Sequence, residues 1–409
     1  MDPKQKHAGS LARGSSLISL ATYGRPTGFV RPLVARVARN PEPDAERQRS
    51  AAIVTDGNPL DWVGAERYRA IVTSLPLARF SADRALPRVP IIHSAKTVEH
   101  LRSGAVIVLT PQSGRVRTIF RPDSLHNFLF ATERCNSFCL MCSQPPVDRD
   151  DAEQVQINLE AIRLMEPAPS QLGITGGEPT LLRDGLFQLM AELKARLPQT
   201  NIHMLTNGRR FAWPDFTEAF MAAAHPRLTV GIPLYSDNAP EHDYVVQARG
   251  AFDQTIQGVH RLARYEQAVE IRVVLHKLTI PRLHDLAQFI YRNLPFASHV
   301  ALMGLEITGF TRPNLTKLWI DPYEYQSELH SAVEYLAIRG MNVSIYNHPL
   351  CVLPGDLWQF ARRSISDWKN LYLEVCQGCG VRERCGGFFM SAERQHSSHL
   401  HPIVAQSSC

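Results

Sequence analysis

Cys135-Asn-Ser-Phe-Cys139-Leu-Met-Cys142 places three cysteines in one short run, and Gly176-Gly177-Glu178-Pro179-Thr180 follows it. Three thiolates can hold three irons of a [4Fe–4S] cube, one short of the four that a closed cluster takes. A cube lacking one protein ligand has an open iron. An open position marks a metal that does chemistry, by the logic that separates catalytic from structural zinc. Zinc or three unrelated thiols compete as readings of the triplet taken alone.

Around this stretch the chain alternates strand and helix. The apolar runs Phe128–Thr132, Leu172–Thr175, Ile202–Thr206, Leu228–Leu234, Glu270–His276 and His299–Leu305 read as strands. Helical patterns fall between them, as in Asp184–Arg196, Asp253–Tyr265 and Arg282–Asn293. Such alternation predicts parallel βα units. Six units make an α/β fold of partial-barrel form, open on one side. Sites of α/β barrels lie at the C-terminal ends of the strands. The cysteine run follows the first strand and Gly176–Thr180 the second. Thr206-Asn207-Gly208, Tyr235-Ser236-Asp237, His276-Lys277 and Glu306 end the next four. The motifs therefore converge on one rim.

The spacing C-x3-C-x2-C followed by Gly-Gly-Glu-Pro resembles that of the radical S-adenosylmethionine (SAM) enzymes. The resemblance implies that the open iron binds the amino and carboxylate groups of SAM. It also implies reductive cleavage to methionine and a 5′-deoxyadenosyl radical. Gly176, Gly177, Glu178 and Pro179 would meet the methionine ammonium, the glycines allowing close approach and Glu178 supplying the opposite charge. Position 141, often aromatic in the family, is Met, whose polarizable side chain fills the same role. Asn207 reads either as a SAM contact or as a turn residue before Gly208. Ser236 and Asp237 read either as ribose contacts or as the start of a turn. Arg272 stands where the family often places a polar SAM contact; pairing with a carboxylate is the alternative. Glu306 is a candidate substrate contact or proton acceptor. His242-Asp243, before Gln247–Phe252, read as a surface histidine and a helix cap.

A second cysteine group lies further on: Cys351, then Cys376-Gln-Gly-Cys379-Gly-Val-Arg-Glu-Arg-Cys385-Gly-Gly. Cys-x2-Cys turns with glycines suit zinc or Fe–S. Within a radical SAM chain the arrangement resembles the auxiliary-cluster extensions of peptide-modifying members. It lacks a final cysteine three residues after Cys385 and has too few cysteines for two clusters. The expectation is one auxiliary [4Fe–4S] cluster on Cys351, Cys376, Cys379 and Cys385, with Cys409 a spare thiol or substitute ligand.

The chain has 409 residues and a net charge of +5, too mild to argue for nucleic acid. No apolar run reaches the roughly 18 residues that span a bilayer. Eight clustered cysteines suggest metal ligation in a reducing, cytoplasmic setting rather than a disulfide framework. Four parts follow. Residues 1–50 form a basic, disordered leader or targeting segment: Arg13, Arg25, Arg31, Arg36 and Arg39 occur with no acidic residue between Asp2 and Glu42. Residues 51–124 form a small β-rich domain, 125–346 the barrel and 347–409 the iron–sulfur extension.

Leu125–Leu129, Met141–Pro145, Val300–Glu306, Trp319–Pro322 and Ser364–Asn370 resemble the radical SAM maturases of the His-Xaa-Ser peptide system, C type. That resemblance implies a ribosomally made peptide substrate with His-Xaa-Ser repeats, a second radical SAM partner protein and an electron donor such as a flavodoxin or ferredoxin. A radical SAM enzyme acting on a small molecule or nucleoside is the alternative. An iron–sulfur electron carrier or zinc-stapled scaffold is another, but would have no use for Gly176–Pro179.

Overall fold

The computed structural model describes residues 20–80, 86–363 and 371–404. Residues 1–19 of the expected leader, the Ser364–Asn370 stretch and Cys409 lie outside them.

The first sheet has eight strands: β1 (Ala21–Tyr23), β2 (Arg25–Thr27), β3 (Leu33–Ala38), β4 (Ala51–Thr55), β5 (Ala70–Thr73), β6 (Ile91–His93), β7 (Val106–Thr110) and β8 (Arg115–Phe120). Their order is β1-β8-β7-β3-β4-β5-β6-β2. This corrects the expected disordered leader over residues 20–50. The β3 strand is central, antiparallel to β7 and parallel to β4. Its run Leu33-Val-Ala-Arg-Val-Ala38 buries Val34, Ala35, Val37 and Ala38. Arg36, which reads as leader charge, is ion-paired to Glu42 at 2.9 Å.

The second sheet is wholly parallel and runs in chain order. Its strands are β9 (Asn127–Phe130), β10 (Gln171–Thr175), β11 (Asn201–Leu205), β12 (Leu228–Pro233), β13 (Ala268–Leu275), β14 (His299–Gly304), β15 (Val343–Tyr346) and β16 (Ala361–Arg362). The six expected strands are the first six, and two short ones extend the sheet. Its edges, β9 and β16, do not pair with each other, so the barrel stays open.

Helices pack outside. In Asp184–Arg196, Leu186, Leu189, Met190 and Leu193 are buried, the one-face spacing of an amphipathic helix. They join alternate strand residues such as Ile202, Met204, Val230, Ile232, Ile271 and Val273 in one core. That core also takes in Val34 and Val106 from the first sheet and Tyr372 and Cys385 from the C-terminal segment. Alternation then turns His203, Gly231, Glu270 and Arg272 toward the lumen.

Candidate active site

The cysteine loop leaves β9 and is strapped from three sides. Val245 and Val246 accept from the amides of Leu140 and Phe138 at 2.9 and 3.1 Å. The Phe310 amide donates to the Cys142 carbonyl at 2.8 Å. Thr311 and Asn314 donate to the Met141 and Leu140 carbonyls. Arg209, just past β11, donates from one guanidinium nitrogen to the Asn136 carbonyl at 2.6 Å and to Ser137 Oγ at 3.0 Å.

The three thiols share one electrostatic environment. Burial pushes Cys135 up to about 11, helped by Glu178 and Cys142. Burial pushes Cys139 up to about 12, helped by Cys135 and Cys142 and opposed by Arg209. Burial also raises Cys142. Half-buried sulfurs that resist becoming thiolates beside one another suit a metal centre, which takes the thiolate and releases the proton. Among the described residues no three His, Cys, Asp or Glu side chains could share a single metal ion. Three separate irons of a cube do not require that.

The Gly176–Pro179 turn packs against the loop. A Cβ on Gly177 would stand 2.1 Å from the Arg134 carbonyl oxygen, and one on Gly176, at φ +142, would stand 2.5 Å from the Thr132 carbonyl oxygen. The glycines thus let the turn lie on the chain leaving β9. Glu178 is fully buried. Its Oε1 accepts from the Thr180 amide, Thr180 Oγ1 and Thr206 Oγ1 at 3.0, 2.6 and 2.6 Å, and its Oε2 accepts from the Asn207 amide at 2.6 Å. A carboxylate offers about two lone-pair sites on each oxygen, so Oε1 is fully used while Oε2 keeps room for a further donor. Glu178 ties the end of β10 to the end of β11.

Other rim residues are placed as follows. Asn207 Nδ2 donates to Asn136 Oδ1 at 2.6 Å, joining the third strand's end to the cysteine loop. Ser236 Oγ donates to Glu241 at 2.8 Å, and Asp237 binds Arg282 with both oxygens at 2.7 and 2.5 Å. These contacts match the turn reading of that segment. Asp243 accepts from the amides of Gly250 and Phe252, capping the helix Ala251–Arg264. His242 is not on the surface: it is buried, and burial pulls it down to about 4. The Tyr235 ring lies between His242 and His276, 5.8 and 6.1 Å away. Leu140, Met141, Tyr235 and Leu318 form an apolar collar around Cys139. Glu306 sits just past β14, its carbonyl accepting from the Thr308 amide.

Arg272 donates to Glu270 at 2.5 Å and to the Met303 sulfur at 3.0 Å. Glu270 also meets His299 at 2.7 Å and His203 at 3.3 Å. The Arg272–Glu270 pair is the carboxylate alternative read from the sequence, whereas the parts played by His203, His299 and Met303 were not read there. Burial alone would raise Glu270. Hydrogen bonds from His203 and His299 and the charge of Arg272 outweigh it and hold the carboxyl far below its ordinary range. A depressed carboxyl gives stability that is present above the unfolded value, about 4.3, and lost as pH falls through the folded value. Melting temperature should therefore drop on acidification below about pH 4.3, and Glu270→Gln should flatten that slope. At neutral pH the same variant should lose about 3–5 kcal/mol, because Arg272 keeps a buried charge without its partner. Chemical denaturation across that pH range checks both.

The second cysteine group also comes together. Cys351 is raised by burial and by the nearby Cys385 and Cys379. Cys376 is pushed up to about 11 by burial and by Cys385, Cys351 and Cys379. The Tyr372 hydroxyl donates to the Arg382 and Cys385 carbonyls, and the Ile403 amide lies 3.4 Å from the Cys379 sulfur.

A partial barrel whose rim carries a cysteine triplet beside a Gly-Gly-Glu-Pro turn is the arrangement that the resemblance to radical SAM enzymes implies. Residues 129–290 match the family model described as Radical SAM superfamily. That family uses a [4Fe–4S] cluster and SAM, and the triplet's donor set fits such a cluster. The chain is 23% identical over 233 residues to a probable GTP 3′,8-cyclase of Saccharolobus solfataricus, covering 55% of this chain and 70% of that protein. It is 29% identical over 164 residues to GTP 3′,8-cyclase of Paenarthrobacter nicotinovorans, covering 38% and 42%. Among solved structures, Streptococcus suis SuiB bound to S-adenosylmethionine matches at TM-score 0.42 and 17% identity, over 53% of this chain and 49% of that one. Native anSMEcpe with bound AdoMet and Cp18Cys peptide matches at TM-score 0.47 and 13% identity, over 68% and 91%. The chain thus spans about half the length of the SuiB chain. Among the described residues no helix is long and apolar enough to cross a membrane.

Proposed function

We propose that this protein is a radical SAM enzyme that modifies a side chain of a ribosomally made peptide of the His-Xaa-Ser repeat type. The second cysteine group supports this reading. Four thiols from two separated segments converge in the C-terminal extension, the donor set for one auxiliary [4Fe–4S] cluster. When bound, the catalytic cluster and SAM supply a 5′-deoxyadenosyl radical. The chain's own residues do the rest. Cys135, Cys139 and Cys142 would hold the catalytic cluster, and Arg209 offsets the charge of their loop. The Leu140, Met141, Tyr235 and Leu318 collar packs against Cys139 on its apolar side. A flavodoxin- or ferredoxin-like donor and a second radical SAM protein complete the proposal.

The curated relatives, whose names specify GTP, favour a nucleoside triphosphate as the second reading. Reconstituted protein with SAM and a low-potential reductant should be given a His-Xaa-Ser repeat peptide or GTP. Mass spectrometry should show an altered peptide and intact GTP. Consumption of GTP beside an unaltered peptide rejects the proposal.

A further inference from the structure

At the ends of β13, β14 and β15 lies a cavity of about 60 Å³ shared by the barrel rim and the C-terminal segment. The barrel contributes Leu305, Ile307, Trp319 and Ile320 to its wall; the extension contributes Phe388. Leu305 also packs in the apolar cluster that contains Cys139 and Met141. Phe388 follows Cys385 closely and is pinned by two backbone hydrogen bonds to Leu371, at 3.0 and 2.8 Å. An occupant would therefore touch the segment that carries Cys385 and, at Leu305, a residue packed in the cluster with Cys139 and Met141.

Charge and size restrict that occupant. Among the described residues no Lys, Arg, Asp or Glu lines the cavity. Its polar contacts are neutral amides and hydroxyls such as Asn347, Ser391 and Gln395. The Tyr325 hydroxyl is already paired to His348 Nε2 at 2.8 Å, and His396 Nδ1 to the Ala392 carbonyl at 2.6 Å. A triphosphate calls for charged donors that this wall lacks. One water needs about 10–15 Å³ and benzene fills an engineered cavity of about 150 Å³. A cavity of about 60 Å³ lies between, the size of a compact aliphatic side chain.

We propose that the cavity is a specificity pocket for one uncharged aliphatic side chain of the substrate, Val or Leu, which anchors the peptide between the barrel rim and the segment after Cys385. The inference rests on the peptide reading above and adds the side chain that the site selects.

The test is saturation-transfer NMR on the intact protein, with N-acetyl amides of Ala, Val, Leu and Phe as probes and GTP as competitor. Val and Leu amides should bind more tightly than the Ala amide, by about fourfold per added methylene, and the Phe amide more weakly than either. GTP should not displace them. Ile320→Ala should reverse the order so that the Phe amide binds better than the Val amide. Ser391→Phe should abolish binding of all four. A variant that merely failed to fold would lose every probe and could not invert the order. Equal affinities for Ala, Val and Leu amides, displacement by GTP, or an unchanged order in Ile320→Ala overturns the pocket. These measurements use no SAM and no turnover. A modified peptide with no amide preference removes the pocket and leaves the peptide reading. Amide preference with GTP consumed and peptide untouched removes that reading and, with it, the occupant named here.

Discussion

Cys139→Ala is expected to abolish 5′-deoxyadenosine formation outright. The loop around Cys139 is fixed from three sides, so no neighbouring thiol can move in to replace it. Removing one sulfur leaves two protein ligands where a cube takes three or four. Anaerobic reconstitution of the wild type should give about eight irons per chain, four in each cube. Changing Cys135, Cys139 and Cys142 together to Ala should leave about four. Iron analysis and chromatography of SAM products check the result. Turnover by Cys139→Ala equal to wild type rejects the catalytic cluster. Loss of all iron in the triple variant rejects two independent clusters.

Glu178→Gln should destabilise the protein by about 3 kcal/mol, the sum of weakened charged hydrogen bonds and one stranded buried donor. Two of the four donors are hydroxyls, which can rotate and accept instead. The other two are the Thr180 and Asn207 amides, which cannot, and they sit on different carboxylate oxygens. Gln offers a single acceptor oxygen, so one amide must face an NH2 group. Thermal melting with and without SAM tests this. A variant as stable as wild type that loses SAM affinity would return Glu178 to the role of ammonium partner.

The difference between those two roles shows what sequence carries. The cysteine triplet and the strand–helix alternation are local patterns, and both were legible. The helix Asp184–Arg196 was read to the residue, because Asp184 opens an unbroken one-face pattern. Glu178 was legible as a residue, while its hydrogen bonds with Thr206 and Asn207 were not, since these come from the next strand's end. A carboxylate partner for Arg272 was legible, but the rest of the lumen network was hidden for the same reason: His203, Glu270 and His299 meet only after their strands are aligned. The β3 strand was missed because its Arg36 was counted as leader charge, while its partner Glu42 lies in the turn beyond. The β15 and β16 strands are too short to announce themselves.

The straps on the cysteine loop have a consequence for how the protein is made. Asn314 holds the Leu140 carbonyl across 174 positions of chain, and Thr311 holds that of Met141 across 170. Local loops close early in folding, whereas distant ones wait for the intervening chain. At ribosomal speeds of about 5–20 residues per second, the thiols emerge roughly 10–35 s before Asn314 is synthesised. During that interval they are neither collared nor fixed. Iron delivered then would meet a floppy peptide with three separate sulfurs, while iron delivered afterwards would meet a formed socket. A truncation ending before Thr311 should display its thiols to alkylating reagents more readily than the full chain does.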